Sequence, residues 1–112
     1  MADATLRNLV FSVAIDTTGT GPGATKELRA GTVGKRWQIH FLYLEVGGAT
    51  DISLLSGSTA VTGTFTGSTT GQSWGDGESV ILKGVAVGDA FQAILSANED
   101  LDGWAMMSEA DQ

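Results

Sequence analysis

The sequence predicts an all-β protein, a single-domain antiparallel β-sandwich of jelly-roll-like form with about seven or eight short strands. Three observations predict this fold class. Residues 36–46 alternate with the period of two that a β-strand imposes. Turn signals rich in Gly, Ser, Asn and Asp recur at the spacing of roughly 8–12 residues that is typical of sandwich proteins. No apolar repeat of 3.6 residues lasts for about three turns, and 16 glycines in 112 residues disfavour helices.

The N-terminal part, residues 1–30, is predicted to hold the first strand and a flexible Gly/Thr loop. Alternating apolar residues place the strand at 6–15. Residues 17–25 contain three glycines and the only proline, which indicates a mobile loop. Residues 26–30 are predicted to form a short edge strand, because three of the five side chains are charged and charge protects an edge from unwanted pairing.

The longest strand follows a predicted turn at 31–34. One face of this strand is predicted to carry the large apolar side chains Trp37, Ile39, Phe41 and Tyr43. The opposite face is predicted to carry Arg36, Gln38, His40, Leu42 and Leu44. Trp37 is therefore predicted to lie in the core.

The second half of the chain predicts a hairpin and three further strands. The hairpin joins strands at 51–55 and 60–66 through the Ser-Gly-Ser-Thr turn at 56–59. Residues 68–77 are predicted to form a surface loop, which the single aromatic side chain of Trp74 anchors. The remaining strands are predicted at 78–87, 90–97 and 101–108.

Composition excludes several kinds of partner and site. The chain has no cysteine, so it forms neither disulfides nor thiolate metal sites. Its net charge is −7, which disfavours a nucleic-acid partner. Residues 1–36 carry five basic and three acidic residues (+2), whereas residues 37–112 carry one basic and ten acidic residues (−9). No segment reaches the roughly 20 apolar residues of a membrane-spanning helix, so no membrane partner is predicted.

The sequence does not predict an enzyme, a cofactor or a metal site. His40 is the only histidine and is predicted to be structural, and no serine lies in a nucleophile-elbow pattern. The acidic turn with Glu99, Asp100 and Asp102 is predicted to be a solvated surface. It lacks the ligand spacing of an EF-hand, as does the loop at 76–78. The glycine-rich stretch at 19–23 lacks the Lys-Ser ending of a phosphate-binding loop.

The tryptophans other than Trp37 are the candidate contact residues. Trp74 lies in a polar segment, and Trp104 lies near the C-terminus. Amphipathic rings of this kind are enriched where proteins meet, and exposed rings can also stack on sugars. Two alternatives therefore remain open: an interface with another protein, and a carbohydrate-binding surface.

The order of the segments resembles small β-rich proteins encoded among the head genes of tailed bacteriophages. The resemblance covers about residues 30–108. It rests on a lysine-led alternating strand at Lys35, the SGST turn at 56–59 with Thr62-Gly63, and a late strand that ends in Leu95-Ser96. The acidic stretch at 98–102 departs from the pattern, and residues 1–30 match no part of it.

The resemblance implies a capsid decoration (cement) protein, which binds the major capsid protein on the outside of a phage head, forms a homotrimer and stabilises the shell. The predicted capsid or subunit interface comprises Lys26, Arg29, Lys35, Arg36, Trp74 and Trp104. In this hypothesis the basic N-terminal third faces an acidic capsid surface. The alternative is a carbohydrate-binding or host-adhesion module of a phage fibre, with Trp74 and Trp104 as stacking platforms.

Overall fold

The described residues of a computed structural model, 10–19 and 22–111, form two antiparallel β-sheets packed face to face. The all-β sandwich predicted from the sequence is therefore confirmed. These residues contain ten strands: β1 (Phe11–Thr17), β2 (Thr25–Arg29), β3 (Lys35–Val46), β4 (Asp51–Ser56), β5 (Thr59–Ala60), β6 (Phe65–Thr66), β7 (Gln72–Gly75), β8 (Leu82–Lys83), β9 (Phe91–Leu95) and β10 (Leu101–Asp111).

The chain divides its strands between the two sheets in a non-sequential order. The first sheet has the order β1-β10-β3-β7, and β8 also pairs with β3. The second sheet has the order β2-β9-β4-β5, and β6 also pairs with β4. The two longest strands, β3 and β10, lie side by side at the centre of the first sheet. No helix that could span a membrane occurs in the described ranges.

The core lies between the sheets and is made mainly of aliphatic side chains. β9 contributes a buried residue at every second position, as a strand with one inward face should. Trp37 is 4% exposed, and its ring packs 4.9 Å from that of Phe91. The prediction that Trp37 lies in the core is therefore confirmed.

The predicted faces of the long strand are wrong beyond Ile39. Met107 of β10 pairs with Ile39, and Met106 pairs with Phe41. His40, which lies between Ile39 and Phe41, is therefore an extra residue without a partner in β10. This β-bulge shifts the alternation by one residue. After it, Leu42, Leu44 and Val46 are buried, whereas Phe41 and Tyr43 lie on the outer face.

Three predicted boundaries also change in the middle of the chain. Of the predicted strand at 78–87, only β8 forms, and the turn in which Asp76 accepts from the N–H groups of Glu78 and Ser79 occupies its predicted start. The predicted loop at 68–77 contains strand β7, which pairs with β3. The predicted strand at 60–66 is divided between β5 and β6, and both parts pair with β4.

The N-terminal predictions fall partly outside the described residues. Residues 6–9 of the predicted first strand and residues 20 and 21 of the predicted loop are not described. Within the described part, β1 extends to Thr17 and pairs with β10. The predicted edge strand is β2, which pairs with β9.

Candidate functional site

Three valine side chains are exposed on two adjoining loops, the turn at 31–34 and the loop at 84–90, and we call them the valine patch: Val33, Val85 and Val87. Their exposed fractions are 95%, 50% and 43%. Two contacts hold the turn at 31–34 against the loop at 84–90. The Gly88 N–H donates to the Lys35 carbonyl oxygen at 2.7 Å, and Gly31 lies directly against Gly88. Exposed aliphatic side chains on adjoining loops are candidates for a protein contact surface.

The Ser-Gly-Ser-Thr turn holds the loop that carries the valine patch. The hydroxyl of Ser56, which is 1% exposed, donates to Oδ2 of Asp89 at 2.7 Å and accepts from the Val85 N–H at 2.8 Å. The Gly57 N–H donates to the Ala90 carbonyl oxygen at 2.8 Å. The turn motif therefore positions the loop, a role that its sequence did not reveal.

An apolar cleft of about 780 Å³ opens between the two sheets where their edges consist of short strands. Its apolar lining comprises Leu42, Leu54, Phe65, Trp74, Ile81 and Leu82. Its polar lining comprises Thr62, Thr64, Thr66 and Gln72. Trp74 packs edge-on against Phe65 with ring centroids 5.2 Å apart. No charged side chain is among the described residues that line the cleft.

The outer face of the first sheet carries an aromatic rung. Trp104 of β10 pairs directly with Tyr43 of β3 and with Ala14 of β1, so the three side chains share this face. Trp104 is 42% exposed, and its ring lies 4.8 Å from that of Phe41. The bulge at His40 turns Phe41 and Tyr43 towards this face, which is why the sequence pattern alone placed them on the same face as Trp37.

An acidic rung lies next to the aromatic rung. Asp102 pairs with Asp16 on one side and with Glu45 on the other, so three carboxylates form a single row across β1, β10 and β3. Partial burial, together with the neighbouring Asp16 carboxyl, raises the pKa of Asp102 above its ordinary value. The phenol of Tyr43 donates to Oε1 of Glu45 at 3.0 Å, which links the two rungs and raises the pKa of Tyr43.

Lys26 does not lie on the surface where the docking hypothesis requires it. It is 5% exposed and points inward from β2, and its ammonium donates to the Thr18 carbonyl oxygen. The aliphatic stem of a lysine can cover apolar surface while its charged end reaches a polar partner. An inward charge also protects an edge strand, so the edge role predicted for this segment is consistent with the structure.

The predicted docking residues Arg29 and Lys35 have acidic partners within the chain. Arg29 contacts Oε2 of Glu109 at 3.3 Å, and its guanidinium lies 4.6 Å from the centre of the Phe11 ring. Lys35 contacts Oδ1 of Asp111 at 2.5 Å, and this carboxylate raises the pKa of the Lys35 ammonium. The basic third and the acidic remainder of the sequence are therefore interleaved in the fold.

The other predicted docking residues occupy three separate places. Arg36 is half-buried beside Gly84, and its Nε is buried without a hydrogen-bond partner among the described residues. Trp74 belongs to the cleft, and Trp104 belongs to the outer face of the first sheet. The structure therefore does not bring the six predicted residues together into one surface.

His40 belongs to a buried polar network. It is 4% exposed, its Nδ1 donates to the Glu78 carbonyl oxygen at 2.8 Å, and its Nε2 lies 2.7 Å from Oγ of Ser108. Ser108 in turn donates to Oε1 of Gln38 at 2.9 Å. A serine and a histidine at this distance resemble a nucleophile and its base, but Ser108 is fully buried, so no substrate reaches it. The structural role predicted for His40 agrees with these contacts.

Two further acidic residues, Asp76 and Asp100, accept hydrogen bonds from the backbone of loops. Asp76 accepts from the N–H groups of Glu78 and Ser79 at 2.8 and 3.0 Å, and these bonds lower its pKa. Asp100 accepts from the Gly19 N–H at 2.6 Å. Within the described ranges, no three histidine, aspartate or glutamate side chains are grouped so as to hold a metal ion.

Comparisons with known proteins find distant structural similarities and no family. No protein-family model matches the chain, and no curated protein matches it. A chain of the virus-like particle of the extra small virus of the giant freshwater prawn Macrobrachium rosenbergii is 12% identical, with a TM-score of 0.46 over 94% of this chain and 79% of that chain. The sugar-binding EclA C-terminal domain is 11% identical, with a TM-score of 0.34 over 91% of this chain and 77% of that domain.

Proposed function

We propose that this protein is a capsid decoration protein, which binds the outside of a viral head and stabilises the shell by bridging subunits of the major capsid protein. The observation that carries the proposal is the valine patch, which the SGST turn fixes in place. The resemblance of residues 30–108 to phage head proteins supplies the capsid as the partner. The proposal includes no catalytic step.

The valine patch supports docking because its side chains are exposed and its backbone is held. Val85 and Val87 project from a loop that Ser56 and Asp89 fasten to the second sheet. A fixed loop loses less conformational entropy when it binds than a mobile one does. Many copies on a symmetric shell would multiply a modest contact through avidity.

The proposed contact replaces the electrostatic docking predicted from the sequence. Lys26 is buried, and Arg29 and Lys35 are paired with carboxylates of β10. Changing Arg29 to Glu would place two carboxylates together at Glu109, so a loss of capsid binding in that variant would reflect damage to the fold. Substitutions in the valine patch test docking more directly.

A capsid-binding assay tests the proposal. Shells assembled from the major capsid protein of the same virus are mixed with the purified protein, and occupancy is measured by cryo-electron microscopy. The double variant Val85→Asp and Val87→Asp should lower occupancy at least about tenfold, because burying unpaired carboxylates is costly. Val10→Asp, at an exposed valine beside the opposite edge strand β1, is the matched control and should bind normally.

Two results would refute the proposal: wild-type protein that leaves no density on the shell, or a double variant that binds as well as wild type. Thermal unfolding of each variant shows whether the fold is retained, because exposed positions should change stability little.

The proposal also includes self-association into a homotrimer. A chain of 112 residues that contains 16 glycines gains stability from assembly, since binding to the folded state shifts the folding equilibrium. Light scattering should give three times the chain mass of 11.5 kDa. A stable monomer at micromolar concentration would contradict this part of the proposal.

A second candidate function, carbohydrate binding, has its own supporting observation. The apolar cleft combines the rings of Trp74 and Phe65 with a neutral rim of threonine and glutamine side chains. Such a cleft can stack on the apolar face of a sugar and donate to its hydroxyl groups. A glycan array tests this: saturable binding that Trp74→Ala abolishes and Trp104→Ala preserves would favour this function.

A further inference from the structure

We infer that the outer face of the first sheet binds an extended basic segment of a partner protein, whose Arg or Lys side chains lie on Trp104 and Tyr43 and contact the acidic rung. The inference rests on the proposed function where it takes the capsid protein as the partner. The binding chemistry itself is argued from the side chains of this face.

The geometry of the face suits a guanidinium or ammonium group. Asp102 and Trp104 are two residues apart on β10 and point to the same side, which places their Cα atoms about 7 Å apart. A cation lying over the Trp104 ring can therefore also reach the carboxylate. Aromatic faces attract cations within about 6 Å, and tryptophan does so most strongly.

The acidic rung brings three like charges together on this face. Asp16, Asp102 and Glu45 are direct cross-strand neighbours, an arrangement in which like charges repel. Among the described residues, the adjoining aromatic rung contains no Lys or Arg, and neither does the next row of paired residues on this face, which includes Phe41. A partner cation would relieve this repulsion, and the raised pKa of Asp102 is consistent with that strain.

Three of the six basic residues of the chain are engaged elsewhere. Lys26 is buried, Arg29 pairs with Glu109, and Lys35 pairs with Asp111. A second copy of the chain also carries a net charge of −7, which opposes its approach to the acidic rung. Charge complementarity favours a different, basic partner.

A titration with short peptides tests the inference without any capsid. The probe is acetyl-Gly-Arg-Gly-Arg-Gly-Arg-amide, and the control peptide carries neutral citrulline at each Arg position. Binding is followed by ¹⁵N NMR through the three tryptophan indole N–H signals. The Trp104 signal should shift with the Arg peptide and not with the citrulline peptide. The signals of Trp37, in the core, and Trp74, in the cleft, should remain unchanged.

Single substitutions measure the separate contributions of the aromatic rung and the acidic rung to peptide affinity. Trp104→Ala should weaken peptide affinity about fivefold, and Asp102→Asn should weaken it about threefold. Glu27→Gln, a carboxylate on β2 of the other sheet, is the matched control and should leave affinity unchanged. Affinity should also fall as salt rises, since the contact is electrostatic.

Three outcomes would overturn the inference: equal binding of both peptides, a Trp104 shift that depends on protein concentration alone, or saturable binding of a neutral glycan at Trp104. The second would indicate contact between copies, and the third a sugar site. The capsid assay distinguishes a failure of this inference from a failure of the proposed function. If Val85→Asp with Val87→Asp abolishes occupancy but Asp102→Asn and Trp104→Ala do not, docking stands and this face has no part in it.

Discussion

Gly103 permits the close approach of β10 to β3 beside Trp104. Its φ is +153°, and a Cβ at this position would collide with the carbonyl oxygen of Tyr43. A glycine within a strand often marks such an approach of two backbones. The position of Trp104 on the outer face therefore depends on a neighbour that has no side chain.

Gly103→Ala should lower the free energy of unfolding by more than about 1 kcal/mol, because the added methyl group meets backbone that cannot yield. Chemical denaturation measures the effect. Gly63→Ala is the matched control: nothing lies within 4 Å of its Cβ position, so its stability should change little. Equal effects at both positions would show that the approach of the strands is not constrained.

The acidic rung should make stability depend on pH. The pKa of Asp102 is raised in the folded protein, so its favourable contribution is complete below the unfolded-state pKa and is lost as the pH rises through the folded-state value. Asp102→Asn should therefore stabilise the protein at neutral pH, by about 0.5 kcal/mol after allowance for solvent screening. The gain should disappear on acidification.

Asp76→Asn is the control for this pH dependence, because its sign is opposite. Two backbone N–H groups lower the pKa of Asp76, so its contribution is present above the unfolded-state pKa and is lost as the pH falls through the folded-state value. Urea denaturation of the three proteins between acid and neutral pH compares them. If stability changed with pH in the same way in both variants, the opposite pKa shifts of Asp102 and Asp76 would be contradicted.

The elements of the second sheet carry the loop that we propose to contact the capsid. β4 ends at Ser56, and the turn that follows lies against the loop at 84–90. This loop contains no strand, so its order depends on side-chain anchors. The hydroxyl of Ser56 is the most buried of them.

Ser56→Ala should cost about 1–3 kcal/mol, because the Asp89 carboxylate and the Val85 N–H both lose a partner. Hydrogen exchange should accelerate at residues 84–90 and remain slow in β3 and β10. Ser58→Ala, at the exposed serine of the same turn, provides the comparison and should change neither quantity. Uniform acceleration across the chain would indicate global rather than local loosening.

Elements with a local signal were predictable from the sequence. The alternation of β9 and the turn at 56–59 follow from period two and turn chemistry. β7 and β8 were not predictable as they stand, because each is short and exists only by pairing with β3. Tertiary pairing, rather than local preference, decides strands of this length.

The candidate sites were less predictable than the strands. Trp74 and Trp104 were identified by residue type, and both prove to lie on exposed aromatic surfaces. The acidic rung depends on the register of three strands that are distant in sequence. The anchoring role of Ser56 depends on Asp89, which is 33 residues away. No local pattern in the chain records either arrangement.

Across the whole molecule, the pairing of Arg29 with Glu109 joins the two sheets. β2 belongs to the second sheet and β10 to the first, and the hydroxyl of Thr32 also donates to Glu109, at 2.6 Å. The charges that are separated along the sequence therefore serve to close the sandwich at one edge.

A double-mutant cycle with Arg29→Ala and Glu109→Ala should give a coupling energy of about 0.5–1 kcal/mol at low salt. The coupling should diminish as salt is added. The more exposed pair Lys35 and Asp111 is the comparison and should couple more weakly, because solvent screens it more. A larger coupling at that pair would contradict a role for Arg29 in joining the sheets.

The extra residue at His40 has a consequence for how this chain is aligned with distant relatives. The two halves of β3 are out of phase, because Trp37 and Ile39 point inward on odd numbers and Leu42 and Leu44 on even numbers. A relative without the bulge would be one residue shorter inside the strand. An alignment gap belongs at this position rather than in a loop, and a comparison that forbids gaps within strands would match core residues of one chain with surface residues of the other.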